Sequence, residues 1–263
     1  VALGYTMVYG IIRLINFAHG DFIMVGGYTL YFTVPILLHG MGLPAWTGVL
    51  AAIVIYALVG GVVELVAYRP VRRKGTSMSA LITAIAMSLL LENLAQAIPA
   101  MGPNPRVISD EIFSTAPISI GGVSVNMAAV VTIIIAAIVM AALQLFVQKT
   151  KLGRAMRAVS ENKAASTLVG INVNRTIVTT FAIGSGLAAV AALMYCAQYH
   201  TVTTTMGSML GLKAFVAAVM GGIGLIPGAM LGGIVVGIIE ALVTAYISSS
   251  LANAVVFLIL IVM

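Results

Sequence analysis

Residues 126–147 read NMAAVVTIIIAAIVMAALQLFV, a run of 22 residues without a single charged side chain. About 20 apolar residues in a helix are enough to cross the hydrocarbon core of a bilayer. The same character extends through the chain, because 61% of its 263 residues are hydrophobic and only 8% are charged. A soluble domain carries about a quarter charged residues. The composition therefore excludes an independent soluble domain and indicates an integral membrane protein built from helices.

Further apolar segments precede and follow this run with short breaks. They lie at the start of the chain up to about residue 15, at residues 21–39, 44–68, 79–101, 176–199 and 229–247, and from about residue 251 onward. With residues 126–147 they predict an all-α polytopic membrane protein of about eight transmembrane helices, in a single domain covering residues 1–263. Because the chain opens and stops inside apolar runs, we also expect further residues beyond both ends.

The basic residues predict the orientation of these spans. Of 13 Lys and Arg residues, four lie in residues 69–74 and six in residues 149–175. Short basic connections stay on the cytoplasmic side of a membrane, and the two spans between these stretches place both at that face. The connection at about residues 102–125, rich in Pro and Gly and with Val/Ile alternation near residue 119, is then an external loop that holds a small hairpin.

A short apolar segment at residues 210–220 is irregular, because it cannot cross a bilayer by itself. It runs into residues 221–228, GGIGLIPG, which cannot remain helical throughout. One interpretation is a broken or re-entrant half-helix and turn that lines a pathway. The other is a tight cytoplasmic turn between two full spans, and the sequence leaves both open. The Thr-rich residues 200–206 are expected at the outer surface.

The basic connection at about residues 148–175 is far longer than a turn between two spans requires. Its apolar positions recur at helical spacing, and a basic and an acidic residue at i, i+4 lie on another face. The apolar positions are Leu152, Met156 and Val159, and the charged pair is Arg157 and Glu161. We expect one short amphipathic helix between residues 152 and 170, with Gly153 ending the preceding span and Gly170 stopping the helix. Periodicity leaves docking to a partner protein and contact with anionic lipid equally open.

Polar residues inside the spans are candidates for function, because each is costly in lipid. Asn16, His19 and Asp21 either line the pathway or hold a helix break by hydrogen bonds, and their place near the cytoplasmic side favours the structural role. Glu92, beside Asn93 in the fourth span, either lines the pathway or forms a buried hydrogen bond.

Other charged residues have simpler interpretations. Glu64 is expected to pair with Arg69 or Arg72, and Lys213 and Glu240 to form an ion pair or to extend toward a helix end. The single Cys196 is interpreted as a small buried residue. No CxxC, HExxH or phosphate-binding GxxxxGK[ST] pattern is present in the sequence, so we expect no metal site, no catalytic residues and no bound cofactor.

Four segments carry a resemblance to a known family. They are LINFAHGD at residues 14–21, AYRPVR at 67–72, LGRAMRA at 152–158 with Glu161 following, and KAFVAAVMGGIGLIPGA at 213–229. In this order they resemble the permeases of bacterial branched-chain amino-acid ABC importers, and specifically the H-type of the two membrane subunits. The resemblance covers nearly the whole chain.

The resemblance implies an ABC-importer permease fold in the bacterial inner membrane. It also implies a homologous second permease subunit, two ATPase subunits that bind the ATP, and a periplasmic substrate-binding protein as partners, with no role for nucleic acid. The residues implied in ATPase coupling are Leu152, Gly153, Arg154, Arg157, Glu161, Ala165 and Gly170. Those considered for the substrate pathway are Asn16, His19, Asp21, Glu92, Asn93, Gly221 and Gly222.

Several other functions are weighed against this one. Permeases of the same ABC group that carry urea or short amides are one alternative. A self-sufficient secondary transporter or channel is another, but it predicts inverted repeats, and no convincing repeat is visible. A membrane-embedded enzyme would require a Ser/His pair, an HExxH-like site or facing carboxylates, and the sequence offers no such arrangement.

Overall fold

A computed structural model describes residues 1–12, 16–74, 77–108, 118–120 and 123–262. Within these ranges the chain forms twelve α-helices and four short strands. The helices are α1 (Ala2–Ile12), α2 (His19–Pro35), α3 (Ala45–Val63), α4 (Arg69–Lys74), α5 (Ser77–Ala97), α6 (Met127–Lys149), α7 (Lys151–Glu161), α8 (Lys163–Leu168), α9 (Val173–Tyr199), α10 (Met206–Met220), α11 (Ile226–Tyr246) and α12 (Ser249–Val262). The strands are β1 (Arg106–Val107), β2 (Ile118–Ile120), β3 (Val123–Val125) and β4 (Thr201–Val202).

Six helical segments of the described chain are long and apolar enough to cross a membrane. They are His19–Gly40, Thr47–Arg72, Met78–Ala97, Met127–Lys149, Val173–Tyr199 and Ile226–Tyr246. Three shorter apolar helices, α1, α10 and α12, accompany them. The 15 residues of α10 extend only about 22 Å at 1.5 Å per residue, less than the roughly 30 Å of a hydrocarbon core. The predicted all-α membrane fold of about eight helices is confirmed.

Helix α9 lies at the centre of the bundle and packs against α1, α2 and α3. Its buried positions are mostly small, and Ala188, Ala192 and Cys196 are fully buried. Small residues let helix backbones approach closely, which is how helices associate where lipid removes the hydrophobic driving force. The interpretation of Cys196 as a small buried residue is confirmed.

The basic residues 69–74 are helical, although the sequence suggested a connection that follows the third span. A π-helical turn at Glu64–Tyr68 joins α3 to α4, and the N–H of Arg69 donates to the carbonyl of Glu64. Pro70 lacks an N–H and its ring would clash with the carbonyl four residues earlier in a regular helix. The wider turn just before Pro70 changes the hydrogen-bond register, so the helix continues past a residue that usually ends one.

The two basic stretches meet at one end of the bundle, which we call the basic end and define by α4, α7 and α8. The Arg72 guanidinium donates to Oδ1 of Asn174 at 3.4 Å, which connects α4 to the start of α9. The prediction that both stretches lie at the same face is therefore confirmed.

At the opposite end, two small antiparallel sheets are present. β2 pairs with β3, which confirms the predicted hairpin, and β1 pairs with β4, which the sequence did not indicate. Within residues 200–206, which the sequence places at the outer surface, Val202 and Thr204 are buried. Pairing with β1 provides hydrogen-bond partners for the backbone N–H and C=O groups of β4, so the segment can lie inside the bundle. There Val202 packs beside Gly27.

Residues 221–225 form a turn between α10 and α11, with Gly222 and Gly224 at φ +85° and +94°. The helix resumes at Ile226, with Pro227 in its first turn, where a missing N–H costs nothing. A Cβ at Gly10 would lie 3.0 Å from the Cα of Gly224, so this turn touches α1 directly. The structure thus has a helix too short to span by itself followed by a turn, as in the first interpretation, whereas the second required two full spans.

Candidate functional site

The predicted amphipathic helix is present as two helices, α7 and α8, which we call the amphipathic helix pair. Between them Asn162 is extended, with φ −152° and ψ 108°. Its side-chain oxygen accepts from the N–H of Ala165 at 3.0 Å and caps α8. The prediction of one helix across residues 152–170 is therefore wrong, because Asn stabilises the start of a new helix better than it continues an old one.

Helix α7 is anchored to the end of α6 by close backbone contacts. Oγ1 of Thr150 accepts from the N–H of Gly153 at 3.0 Å and donates to the carbonyl of Phe146 at 2.7 Å. A Cβ at Gly153 would lie 2.5 Å from the Cα of Val147, so this corner requires Gly. Gly153 lies in the first turn of α7 and does not end the preceding span, since α6 already ends at Lys149.

The buried face of α7 consists of Gly153, Met156 and Val159. Leu152, which the spacing placed on this face, is 43% exposed. The buried face packs against α1, α6 and α9. The amphipathic helix pair is thus attached to three helices of the bundle.

Arg157 faces back toward α6. Its Nη2 donates to the backbone carbonyl of Gln148 at 3.2 Å, one of the last carbonyls of α6, which lack partners inside their own helix. Arg157 and Glu161 do not appear among the ion pairs between described residues. Arg157 and Ser160 border a cleft of about 220 Å³ whose other walls are α1, α6 and residues 224–227. Arg157 therefore holds the corner between α6 and α7 in place.

The outer face of the amphipathic helix pair is exposed and partly apolar. Leu168 is 88% exposed and Val169 is 75% exposed. The remaining exposed residues of the predicted coupling set are Arg154, Arg157, Glu161, Ala165 and Gly170. Gly170, at φ +83°, ends α8 as predicted, and the N–H groups of Gly170 and Ile171 donate to the carbonyls of Thr167 and Ser166.

A second group of polar residues lies where α2, α5 and α10 meet. Oγ of Ser88 donates to Oδ2 of the fully buried Asp21, and Oγ of Ser208 donates to Oε2 of Glu92 at 3.3 Å. Asp21 and Glu92 also interact electrostatically. We call Asp21, Ser88, Glu92 and Ser208 the carboxylate cluster. Sequence reasoning missed both serines, although Ser88 lies four residues before Glu92 and thus on the same helix face.

The helices of this cluster cross at glycines. A Cβ at Gly211 would lie 2.8 Å from the Cα of Gly20, and one at Gly207 would lie 2.7 Å from the Cα of Asp21. Gly207 and Gly211 form a GxxxG pattern, which lets two backbones touch. This close crossing brings Ser208 of α10 to the level of Asp21 on α2.

The other residues predicted for the substrate pathway lie outside the carboxylate cluster, at several different places. Oδ1 of Asn16 accepts from the Tyr68 hydroxyl at 2.6 Å, so Asn16 belongs to the basic end. His19 is buried against the rings of Tyr5 and Phe22. Asn93 is exposed, and its side chain donates to the carbonyl of Leu89 at 2.7 Å within its own helix.

The two glycines of the predicted pathway set, Gly221 and Gly222, form the turn between α10 and α11. Of the predicted set, only Asp21 and Glu92 come together in the carboxylate cluster.

Both predicted ion pairs are present. Nη2 of Arg72 pairs with the buried Glu64, and Nζ of Lys213 pairs with Oε1 of Glu240 at 2.6 Å. Among the residues that the structure describes, no group of three or more His, Cys, Asp or Glu side chains is arranged to hold a metal ion.

Comparison with known proteins decides the family. The sequence model of a family described as the permease component of branched-chain amino acid transport systems matches residues 1–263. The chain belongs to this permease family.

The relatives of this permease agree with that assignment. The high-affinity branched-chain amino acid transport system permease protein LivH of Escherichia coli is 40% identical over 99% of this chain and 86% of its own length. The corresponding protein BraD of Pseudomonas aeruginosa is 40% identical over 89% of this chain and 78% of its own length. An autoinducer 2 import system permease protein, LsrC of Klebsiella pneumoniae, is 41% identical over 30% of this chain and 23% of its own length.

No solved structure matches the chain. The family and its helical membrane fold identify the chain as a transport subunit and not an enzyme.

Proposed function

We propose that this permease is the pathway-forming membrane subunit of an ATP-driven importer for branched-chain amino acids in the bacterial inner membrane. It pairs with a homologous permease subunit, receives substrate from a periplasmic binding protein and is driven by two ATPase subunits at the basic end, which faces the cytoplasm. ATP binds to those ATPases. The names of the relatives support branched-chain amino acids as substrates over urea or short amides.

The amphipathic helix pair is the observation that carries this proposal. It presents an exposed, partly apolar face around Leu168 and Val169, which are 88% and 75% exposed, and apolar residues of this kind are what a partner groove buries. A lipid-bound helix would also bury an apolar face, but the apolar face of α7 is already packed inside the protein. The packing therefore favours docking of a protein partner over contact with lipid.

The same contacts explain how movement of an ATPase reaches the spans. Helix α7 is held to α6 by Thr150, Gly153 and Arg157, and it also packs on α1 and α9. Because α1 in turn contacts α10 and α11, a shift of the amphipathic helix pair is passed on to helices deeper in the bundle. Closure of the ATPases thus changes the balance between inward-open and outward-open arrangements.

Uptake of labelled leucine into proteoliposomes tests the proposal. We expect uptake only when the second permease, the ATPases, ATP and the loaded binding protein are all present. Vesicles that lack only the ATPases are the control. Uptake that persists in them would show a self-sufficient secondary transporter or channel and would overturn the proposal.

A further inference from the structure

The carboxylate cluster contains two acidic side chains whose charge the protein does not balance. Among the described residues, neither Asp21 nor Glu92 forms an ion pair with a basic side chain, and the ion pairs present are Arg72–Glu64 and Lys213–Glu240. A carboxylate inside a membrane protein is costly unless it is paired, and two neighbouring ones repel each other. A positive group at this position would relieve both costs.

A second observation concerns polar atoms that remain available in the cluster. Oδ1 of Asp21 has no hydrogen-bond partner among the described residues, although the residue is completely buried. The other oxygen of the same carboxylate accepts from Ser88, so the free oxygen belongs to the same helix crossing. The hydroxyl of Tyr56 on α3 is also buried, and it interacts electrostatically with Asp21.

We propose that the carboxylate cluster receives the α-ammonium group of the transported amino acid. This inference rests on the proposed function and adds the group that recognises the substrate. An ammonium carries three N–H donors and no acceptor. The free oxygen of Asp21 and the carboxylate of Glu92 supply charged acceptors, and hydrogen bonds between such charged partners are the strong ones.

The two carboxylates of the cluster differ in how far they are exposed. Glu92 is partly exposed on α5, whereas Asp21 is completely buried under the crossing of α2 and α10. The ammonium group therefore meets Glu92 first and Asp21 afterwards. A neutral urea or amide does not compensate two carboxylates, so the cluster selects for an amino acid within this transporter group.

Amide substitutions separate charge from hydrogen bonding at this site. Asp21→Asn and Glu92→Gln keep an oxygen that accepts from Ser88 and Ser208, but they remove the negative charge. We expect each to lower leucine uptake by the complete complex in proteoliposomes by at least about tenfold, the loss expected for a charged hydrogen bond. Asp21→Glu, which keeps the charge, restores part of the uptake. Leu94→Ala, half exposed and about 200° around α5 from Glu92, leaves it unchanged.

Direct binding identifies the ligand group. Saturation-transfer NMR is measured in nanodiscs on the two permeases and the ATPases, without the binding protein, which would bind leucine itself. The ligands are leucine, leucinamide, which retains the ammonium, and 4-methylpentanoate, which lacks it. We expect signals from leucine and from leucinamide and no signal from 4-methylpentanoate. In the double variant Asp21→Asn/Glu92→Gln, the signals from leucine and leucinamide should be lost.

Each result is decisive for one of the two proposals. Suppose that the wild-type complex transports leucine and that the double variant Asp21→Asn/Glu92→Gln does so at a rate within twofold of the wild type. The proposed ammonium site is then wrong, and the proposed function stands. Equal binding of 4-methylpentanoate would also overturn the site. If the wild-type complex takes up no leucine with ATP, the proposed function itself fails.

Discussion

The close approach of α2 and α10 depends on three individual residues, Gly20, Gly207 and Gly211. A Cβ at Gly20 would lie 2.8 Å from the Cα of Gly211, and the neighbouring atoms are backbone that cannot move as a side chain can. Sequence reasoning singled out Asp21 for its charge and did not recognise that Gly20 beside it determines what Asp21 contacts. The contact was not predictable because Gly20 and Gly207 are distant in sequence.

Gly20→Ala tests the crossing. The added methyl group must separate two backbones, and we expect it to lower the free energy of unfolding by about 1–3 kcal/mol, as overpacking does. Thermal unfolding in a single detergent measures the change. Gly233→Ala on α11 is the matched control, since no heavy atom lies within 4 Å of a Cβ built there. It should melt at or slightly above the wild type, because Ala favours a helix more than Gly does. Equal melting temperatures for both variants would contradict the packing argument.

At the scale of elements, the break in the amphipathic helix pair depends on one cap. Asn162→Ala removes the acceptor that holds the N–H of Ala165, and such a loss costs about 1 kcal/mol. We expect faster amide hydrogen exchange at Ala165 and Ser166 and weaker ATP-dependent uptake, because α8 frays. Asn162→Asp keeps an acceptor oxygen and places a negative charge near the start of α8, so its exchange should remain slow. Unchanged protection in Asn162→Ala would exclude the cap as the origin of the break.

The sequence predicted correctly those elements that depend on one continuous stretch of apolar or basic residues. The charge-free residues 126–147 correspond to α6, and the basic residues of both stretches do lie at one end. Predictions were wrong where one residue has two uses. Asn162 fits a helix pattern but caps a new helix. The basic residues 69–74 were predicted to be a connection but continue the helix after a π-helical turn. The pairing of β1 with β4 was invisible because it joins segments far apart in the chain.

At the scale of the whole molecule, we expect the exposed face of α8 to govern assembly. Leu168→Asp places a charge at the centre of an apolar contact, and we expect co-purification of the ATPase subunits to fall at least about tenfold, the loss expected at an interface hot spot. The variant remains in the membrane because Leu168 is 88% exposed in the isolated chain. Ser160→Asp, on the side of α7 that borders the cleft, introduces the same charge and is the control. Full recovery of the ATPases with Leu168→Asp would place the docking surface elsewhere.

The candidate site as a whole was only partly predictable, for a geometric reason. The sequence indicated Asp21 and Glu92 as separate polar residues in different spans, and the packing of α2, α5 and α10 brings them together. Asn93, one residue after Glu92, lies on the exposed side of the same helix, because successive helical positions face about 100° apart.

The pairing of β1 with β4 also sets an order of assembly. The partners run from residue 106 to residue 202, with α6, α7, α8 and α9 between them. Strand β1 therefore has no partner until α9 has been synthesised and inserted, so the small sheet at this end forms late during biogenesis. A ribosome-bound chain that ends before α9 leaves Arg106 and Val107 unpaired, and insertion of α9, the fifth of the six long spans, allows this end of the bundle to close.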